Sequence, residues 1–325
     1  MTMLDDAPAP TTAAPADTKV GRLNTASLRK IIEPEETFDF AAMTKGQVIA
    51  DDLLSVAGLD IELTAGQKAT LSREETAAML SAGVAFEAIL MAGFAWQVAT
   101  TSDITDPRTM YMLHEIGEET RHSRAFVRVV QELDPQAKNP LDAKIPRAIQ
   151  QKFLPILIKS PALLATMILA GEELPDLLQK LASEHPDTDR VLAEVNKYHR
   201  MEEARHLAFA RLTVGELYKT AGRRERLRIK LMAPVMIGGL FDTFIHPGVY
   251  GTIGLPTWKT WKAAKATPAR QAIKLAAARP ILKALVDGGV FTAGRIPKGW
   301  RKLCGVDAHG SPLAGTPTLA SVGLA

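Results

Sequence analysis

A single cysteine, Cys304, stands in 325 residues, so no internal disulfide ties this chain together, and a reducing compartment suits it. Aromatic residues are scarce, at 6% against 46% hydrophobic residues overall. The core is therefore built from Ala, Leu, Ile and Met, a composition that leans towards helices. No convincing run of alternating apolar and polar residues offers a strand, so no sheet is expected. The opening stretch, MTMLDDAPAPTTAAPADTKVG, lacks a basic region followed by an apolar one and reads as an Ala/Pro/Thr tail rather than a secretory leader. The most apolar run, LMAPVMIGGLF near residues 231–241, is short and broken by Pro and Gly, which argues against a transmembrane segment. A glycine-rich dinucleotide fingerprint and a repeat of fixed short period are also missing. These absences disfavour a disulfide scaffold, a solenoid and a nicotinamide-binding enzyme, and leave a cytoplasmic helical protein as the expectation.

What is present is helical periodicity in four long segments. Ser72 with Glu75 reads as a capping box ahead of a helix running to about Thr101. Asp106-Pro107 opens a second helix that ends near Asp134-Pro135. Ser160-Pro161 opens a third, ending near Ser183, and a fourth runs from about Thr188 to Thr220 after His185-Pro186-Asp187. A long connection carrying Pro135, Pro140, Pro146 and Pro155 separates the second from the third, whereas the other two connections are short. Short, long, short is the connectivity of a ferritin-like four-helix bundle with one crossover. The expected organisation is all-α: a disordered or loosely packed tail over 1–40, a ferritin-like di-metal bundle over 41–255, a basic helical extension packed on it over 256–304, and a flexible tail over 305–325.

The chemistry sits inside the apolar stripes. On the first helix Leu80, Val84, Met91, Phe94 and Val98 form a stripe whose gap is filled by Glu87, and a buried carboxylate costs several kcal/mol unless it is paired or ligates a metal. On the second, Met112, Ile116, Glu119, His122, Phe126 and Val130 share a face, so Glu119-x-x-His122 places a carboxylate and an imidazole on adjacent turns. His114, Glu115 and Glu118 fall off that stripe and are expected on a solvated face. The fourth helix repeats the unit as Glu203-x-x-His206 and adds His199 one turn earlier, at i, i+4 and i+7. Glu202 points elsewhere. On the third, Glu172 and Glu173 are adjacent and periodicity does not separate them; one is expected as a ligand and the other beside it or at the surface. Lone Glu, Glu-x-x-His, lone Glu, Glu-x-x-His over four helices is the ligand order of carboxylate-bridged di-metal bundles. Four carboxylates balance two divalent ions, and oxygen with imidazole suits Fe or Mn. Ala88, Ala92, Gly83 and Gly171 are small enough to open a pocket nearby or to let helices approach, and Tyr111 and Tyr198 read as core tyrosines.

On Glu87, Glu119-x-x-His122, Glu172 in GEEL, and His199-x-x-x-Glu203-x-x-His206, the chain resembles the p-aminobenzoate N-oxygenase (AurF) family of di-iron oxygenases. His199 is the distinguishing mark, and the resemblance covers roughly residues 70 to 220. It implies seven metal ligands, Glu87, Glu119, His122, Glu172, His199, Glu203 and His206, with Glu119 and Glu203 bridging two iron ions; Glu172 is preferred to Glu173 by its spacing to His199. It also implies that O₂ is the co-substrate, bound as a peroxo species at the reduced centre, and that an amine nitrogen, often of an arylamine, is oxygenated. Manganese accepts the same ligands. Electrons must arrive from a separate protein or a small reductant, since no cofactor fingerprint supplies them. The alternatives are hydroxylation or desaturation of another substrate on the same centre, and ferritin-like iron handling.

Charge is segregated. Thr257 to Lys302 holds eleven Lys and Arg against the single acid Asp287, leaving 28 basic and 35 acidic residues elsewhere. The expected arrangement is a helical extension that packs its Leu, Ile and Trp on the bundle and leaves its lysines in water. The functional counterpart is a docking surface for an acidic electron donor or an anionic membrane. Nucleic-acid binding is not expected, because no recognition module accompanies the charge. A homodimer is compatible with the sequence.

Overall fold

The computed structural model describes residues 18–29, 31–142 and 152–324. All regular elements among them are helical, with one isolated antiparallel bridge between Val306 and Pro312. Two short helices, α1 (Lys19–Ser27) and α2 (Pro34–Thr37), precede the bundle. The bundle itself is α3 (Ala65–Thr100), α4 (Pro107–Leu133), α6 (Pro161–Glu184) and α7 (Arg190–Thr220), with α5 (Lys152–Ile158) on the long connection between α4 and α6. The expected all-α, ferritin-like connectivity is therefore present. Pro146 and the tail over 1–17 lie outside the described residues.

Three of the four helix starts follow the sequence signals. Asp106 caps α4 by accepting from the Arg108 amide, and Asp189 caps α7 by accepting from Leu192. α6 opens at Ser160-Pro161, but Ser160 makes no capping bond. Instead Glu225 Oε1 accepts the Ala162 and Leu163 amides at 2.8 and 3.0 Å, placing a carboxylate where the helix dipole favours one.

The start of α3 differs from the expectation. Its capping box is Thr64 with Gln67, so Ser72 and Glu75 lie inside the helix and are buried. Both are used sideways: Ser72 Oγ accepts from the Val48 amide at 3.0 Å, and Glu75 accepts from the Ser55 amide at 2.9 Å. They tie the segment before the bundle to α3.

α3 packs on α4 and α6 on α7. A Cβ placed on Gly171 would sit 1.8 Å from the Phe86 ring, so the glycine sets how closely α6 approaches α3. Leu90, Phe94, Tyr111, Leu163, Leu169, Phe209 and Val214 form the core towards one end of the bundle. Leu80, Phe126, Val129, Leu133, Leu192 and Val195 form a second core with Phe40, Met43 and Val48. By length and composition alone α3, rather than the run near 231–241 by itself, is long and apolar enough to cross a membrane. Its burial of Glu74, Glu75 and Glu87 against neighbouring segments accounts for those acids in a packed bundle.

After the bundle come α8 (Arg223–Leu231), α9 (Ala233–Thr243), α10 (Gly248–Gly251), α11 (Thr257–Ala266), α12 (Pro268–Asp287) and α13 (Lys298–Cys304). α12 lies along α6, and its Ala278, Ile281 and Leu285 belong to the same core as Leu169. Trp300 is fully buried and donates Nε1–H to the Ile229 carbonyl at 2.9 Å. The basic residues here divide. Lys265 and Lys274 pair with Asp242 at 3.4 and 2.7 Å, and Arg279 donates to the Cys304 carbonyl, whereas Lys259 and Lys262 face solvent.

Both ends are more organised than their composition suggested. α1 packs on α4, with Asn24 Nδ2 donating to the Pro107 carbonyl at 2.9 Å. Val306 is buried, and Leu319 and Leu324 pack against the main core beside α12.

Candidate metal centre

α3 contributes Glu87, α4 Glu119 and His122, α6 Glu172, and α7 His199, Glu203 and His206, and all seven side chains are buried. Potential ligand atoms of Glu119, His122, Glu203 and His206 lie within 4.8 Å of one another, and so do those of Glu87, His122 and His199. His122 belongs to both groups, which makes one continuous centre. His206 Nδ1 stands 2.9 Å from Glu203 and 3.1 Å from Glu119, and His122 Nδ1 stands 3.0 Å from Glu203 and 3.4 Å from Glu119. His199 Nε2 stands 3.3 Å from Glu203 and 3.5 Å from Glu87. Glu172 joins neither group, but with Glu87 and His199 it lines one narrow cavity.

Glu173, the neighbour that periodicity could not separate from Glu172, turns away and binds Arg211.

The acids set beside the stripes are not in solvent. Glu115, Glu118 and Glu202 are buried, and His114 is half-buried. Both Glu-x-x-His motifs read Glu-Glu-x-Arg-His, as Glu118-Glu119-Thr120-Arg121-His122 and Glu202-Glu203-Ala204-Arg205-His206. In each, the first Glu serves the histidine of the other helix. His122 Nε2 donates to Glu202 at 2.9 Å, and His206 Nε2 donates to Glu118 at 2.7 Å. Arg205 Nη2 stands 2.9 Å from Glu118 and 3.5 Å from Glu202, so a guanidinium covers both acids. With Nε2 held by these acids, Nδ1 of each imidazole faces Glu119 and Glu203. His199 is held the opposite way: Nδ1 donates to Gln179 Oε1 at 2.9 Å and leaves Nε2 facing Glu87 and Glu203. The repeated pentapeptide was the signal that sequence reasoning passed over.

The electrostatics have the character of a cation site. Burial pushes the Glu172 carboxyl well above the usual range, and the charges of Glu203 and Glu119 push it further. Burial likewise raises Glu87, with His199 opposing. Burial also works against ionisation of Glu203, yet His206 and His199 outweigh it and hold it well below the ordinary value. His122 and His206 are driven well above theirs, because the surrounding carboxylates overcome the burial that disfavours their charge. Glu118 is held at about 2 by His206 and Arg205 against burial, while burial pushes the unpartnered Glu115 up to about 8. In this arrangement protons on the imidazoles do the work that a metal cation would do.

The donor set fits such a cation. Glu172 Oε1 is buried and accepts no hydrogen bond, and Glu119 Oε1 and Glu203 Oε1, which also accept none, have imidazole nitrogens as neighbours at 3.1 and 3.0 Å; in a packed core such oxygens call for a cationic partner. Four acids and three neutral imidazoles, each with a fixed lone pair, match two hard divalent ions.

Glu87, Glu172 and His199 border a cavity of ≈ 20 Å³ whose other walls include Phe86, Phe126 and Phe244. A larger cavity of ≈ 310 Å³ lies among Phe94, Met112, Ile168, Phe209 and Leu217. Gly83 and Gly171 lie on the narrow cavity's wall, but Ala88 and Ala92 are exposed and open no pocket. Tyr111 packs on Phe209 with ring centroids 4.4 Å apart, and Tyr198 on His122 at 5.5 Å.

Comparison with known proteins places this geometry. The chain is 29% identical over 174 residues to the uncharacterized protein Rv0885 of Mycobacterium tuberculosis (strain ATCC 25618 / H37Rv), covering 51% of this chain and 48% of that protein. The same figures hold for the uncharacterized protein Mb0909 of Mycobacterium bovis. The chain thus spans about half the length of the curated relatives it matches. No solved structure matches it. The family model described as P-aminobenzoate N-oxygenase AurF matches residues 22–289, and the chain belongs to that family.

Proposed function

We propose that this protein is a di-iron, O₂-dependent monooxygenase that oxygenates the nitrogen of an amine. The observation that carries the reading is the paired centre sharing His122, in which each Glu-x-x-His motif lends an acid to the other's histidine. Glu87, Glu119, His122, Glu172, His199, Glu203 and His206 would hold the two ions. Bound iron supplies the two-electron chemistry with O₂ that no side chain offers. The chain's own residues do the rest. Glu118, Glu202 and Gln179 fix the three imidazoles, and Arg121 and Arg205 keep the outer acids ionised. Phe86, Phe126 and Phe244 wall the narrow cavity beside Glu87 with apolar rings and so limit water there. The electrons come from an external donor protein or small reductant, and solvent-facing Lys259 and Lys262 suit the approach of an acidic one.

Two measurements test the reading. Protein produced with iron supplied should contain two iron ions per chain, and Glu203→Ala should lose them. Incubated with a reductant, O₂ and a panel of arylamines, the iron-loaded protein should give hydroxylamine, nitroso or nitro products. Carbon-hydroxylated products alone would move the assignment to a hydroxylase on the same centre.

A further inference from the structure

The corner between α7 and α9 carries a surface that the metal chemistry leaves unused. α8, RRERLRIKL, has five cations and one acid. The acid, Glu225, is already committed to the α6 amides. Arg223, Arg224, Arg226 and Lys230 face solvent. Arg226 donates to the Lys219 carbonyl and lies over the Tyr218 ring, whereas Arg223, Arg224 and Lys230 pair with no acid among the described residues.

Between these cations the apolar side chains point outwards. Leu227 and Leu231 are each 55% exposed, Met232 41% and Val235 72%. Leu227, Leu231 and Val235 fall four residues apart, on either side of the 44° bend that follows α8. Scattered exposed leucines are ordinary, but a cluster of large apolar groups rimmed by charge marks an interaction surface. The setting continues it. At the N-terminal approach to α6, which Glu225 caps, Lys159 lies over the exposed Trp96 ring at 5.0 Å. Thr220, at the end of α7 just before α8, lines the ≈ 310 Å³ apolar cavity.

Charge selects the occupant. A second copy docking through the same patch in an isologous contact would set these unpaired cations against their own copies. An acidic protein would complement the cations and leave the outward leucines and valine without a reason. A bilayer with anionic headgroups meets both requirements, phosphates for the arginines and lysine and acyl chains for the apolar side chains. We propose that α8 and the first turn of α9 dock the protein on an anionic lipid surface. Leu227, Leu231, Met232 and Val235 enter the boundary between headgroups and acyl chains, while Arg223, Arg224 and Lys230 contact phosphates.

Co-sedimentation of the full-length, metal-loaded protein with vesicles decides this. One set is phosphatidylcholine, the other phosphatidylcholine and phosphatidylglycerol in equal parts. The protein should pellet with the second set only, less so as salt rises. The triple variant Leu227→Ser, Leu231→Ser, Val235→Ser should lower partitioning roughly tenfold, and Arg223→Glu, Arg224→Glu, Lys230→Glu should abolish it. All six residues are exposed, so both variants should keep native circular dichroism and metal content. Failure of the wild type to pellet, equal pelleting with neutral vesicles, or unchanged pelleting of both variants would overturn the proposal. A dimer in solution that the apolar variant dissolves would also overturn it, by assigning the patch to a second copy.

Discussion

Two histidines of this centre are held by acids of the opposite helix. Glu202 on α7 holds His122 of α4, and Glu118 on α4 holds His206 of α7, so loss of either acid acts across the bundle. Removing an outer partner of a metal-ligating histidine lowers metal affinity about 10- to 100-fold. Glu202→Ala is expected to do so with little change in helicity, measured by competition with a chelator, while Glu194→Ala, at the surface, leaves affinity alone; equal affinities in the two would remove Glu202 from the centre. Glu87, Glu119, His122, His199, Glu203 and His206 stood out because they interrupt apolar stripes, whereas periodicity could not tell Glu172 from Glu173. Glu115, Glu118 and Glu202 did not stand out, because periodicity assigns a residue beside a stripe to the flank, and the flank here is covered by Arg121, Arg205 and the neighbouring helix. Glu75 offers a separate test outside the centre. Burial pushes its carboxyl up to about 7 from 4.5, with the Ser55 hydrogen bonds and Arg270 opposing. The folded state therefore keeps a proton that the unfolded chain releases above about pH 4.5. Stability from this group is full below that pH and falls as pH rises to about 7, a loss of about 3 kcal/mol for a shift of this size. Denaturation of wild type and Glu75→Gln, both metal-loaded, should diverge over that window, the variant having the flatter profile. Parallel profiles would mean that Glu75 is not the titrating group.

Element starts were legible wherever the cap lies at the start. Asp106 and Asp189 each accept a first-turn amide, and their sequence signals sit within a residue or two of the helices. α3 was misread because Ser72-x-x-Glu75 and Thr64-x-x-Gln67 have the same spacing, and only packing separates them: the first pair is buried against residues 48–55 and the second meets solvent. The approach of α6 to α3 was beyond any pattern argument, since Gly171 reads equally as a pocket-former and as a contact point. The Phe86 ring decides it. Gly171→Ala should destabilise the protein by about 1–3 kcal/mol through overpacking, seen as a lower melting temperature. Adding Phe86→Leu should recover part of the loss, because the smaller side chain vacates the space the new methyl needs. An additive double variant would show that the two residues do not share that contact.

At the scale of the molecule, residues 256–304 were expected to pack their Leu, Ile and Trp on the bundle and leave their lysines in water, and the packing bears on both halves of that expectation. Ile281 and Leu285 of α12 and Trp300 of α13 join one core with Leu163 and Leu169 of α6 and Ile229 of α8. What differs is the cations: Lys265, Lys274 and Arg279 are spent on Asp242 and a carbonyl inside the fold, and a count of cations does not distinguish internal partners from solvent. α6 is apolar nearly all round, with Leu163, Leu164, Met167, Ile168, Leu169 and Leu174 all buried, and such a helix requires cover on more than one side. α3 and α7 supply part of that cover, and α12 lies along α6 to complete it. A chain ending at Leu255 would leave the α12 side of α6 in water and the Ile229 carbonyl without its Trp300 donor. It should keep most of its far-ultraviolet helical signal, lose near-ultraviolet signal and cooperative melting, and bind less than a full complement of metal, because Glu172 sits on the helix that loses its cover. A truncated protein that melts as sharply as the full chain and holds two metal ions would show instead that the bundle is complete without these helices.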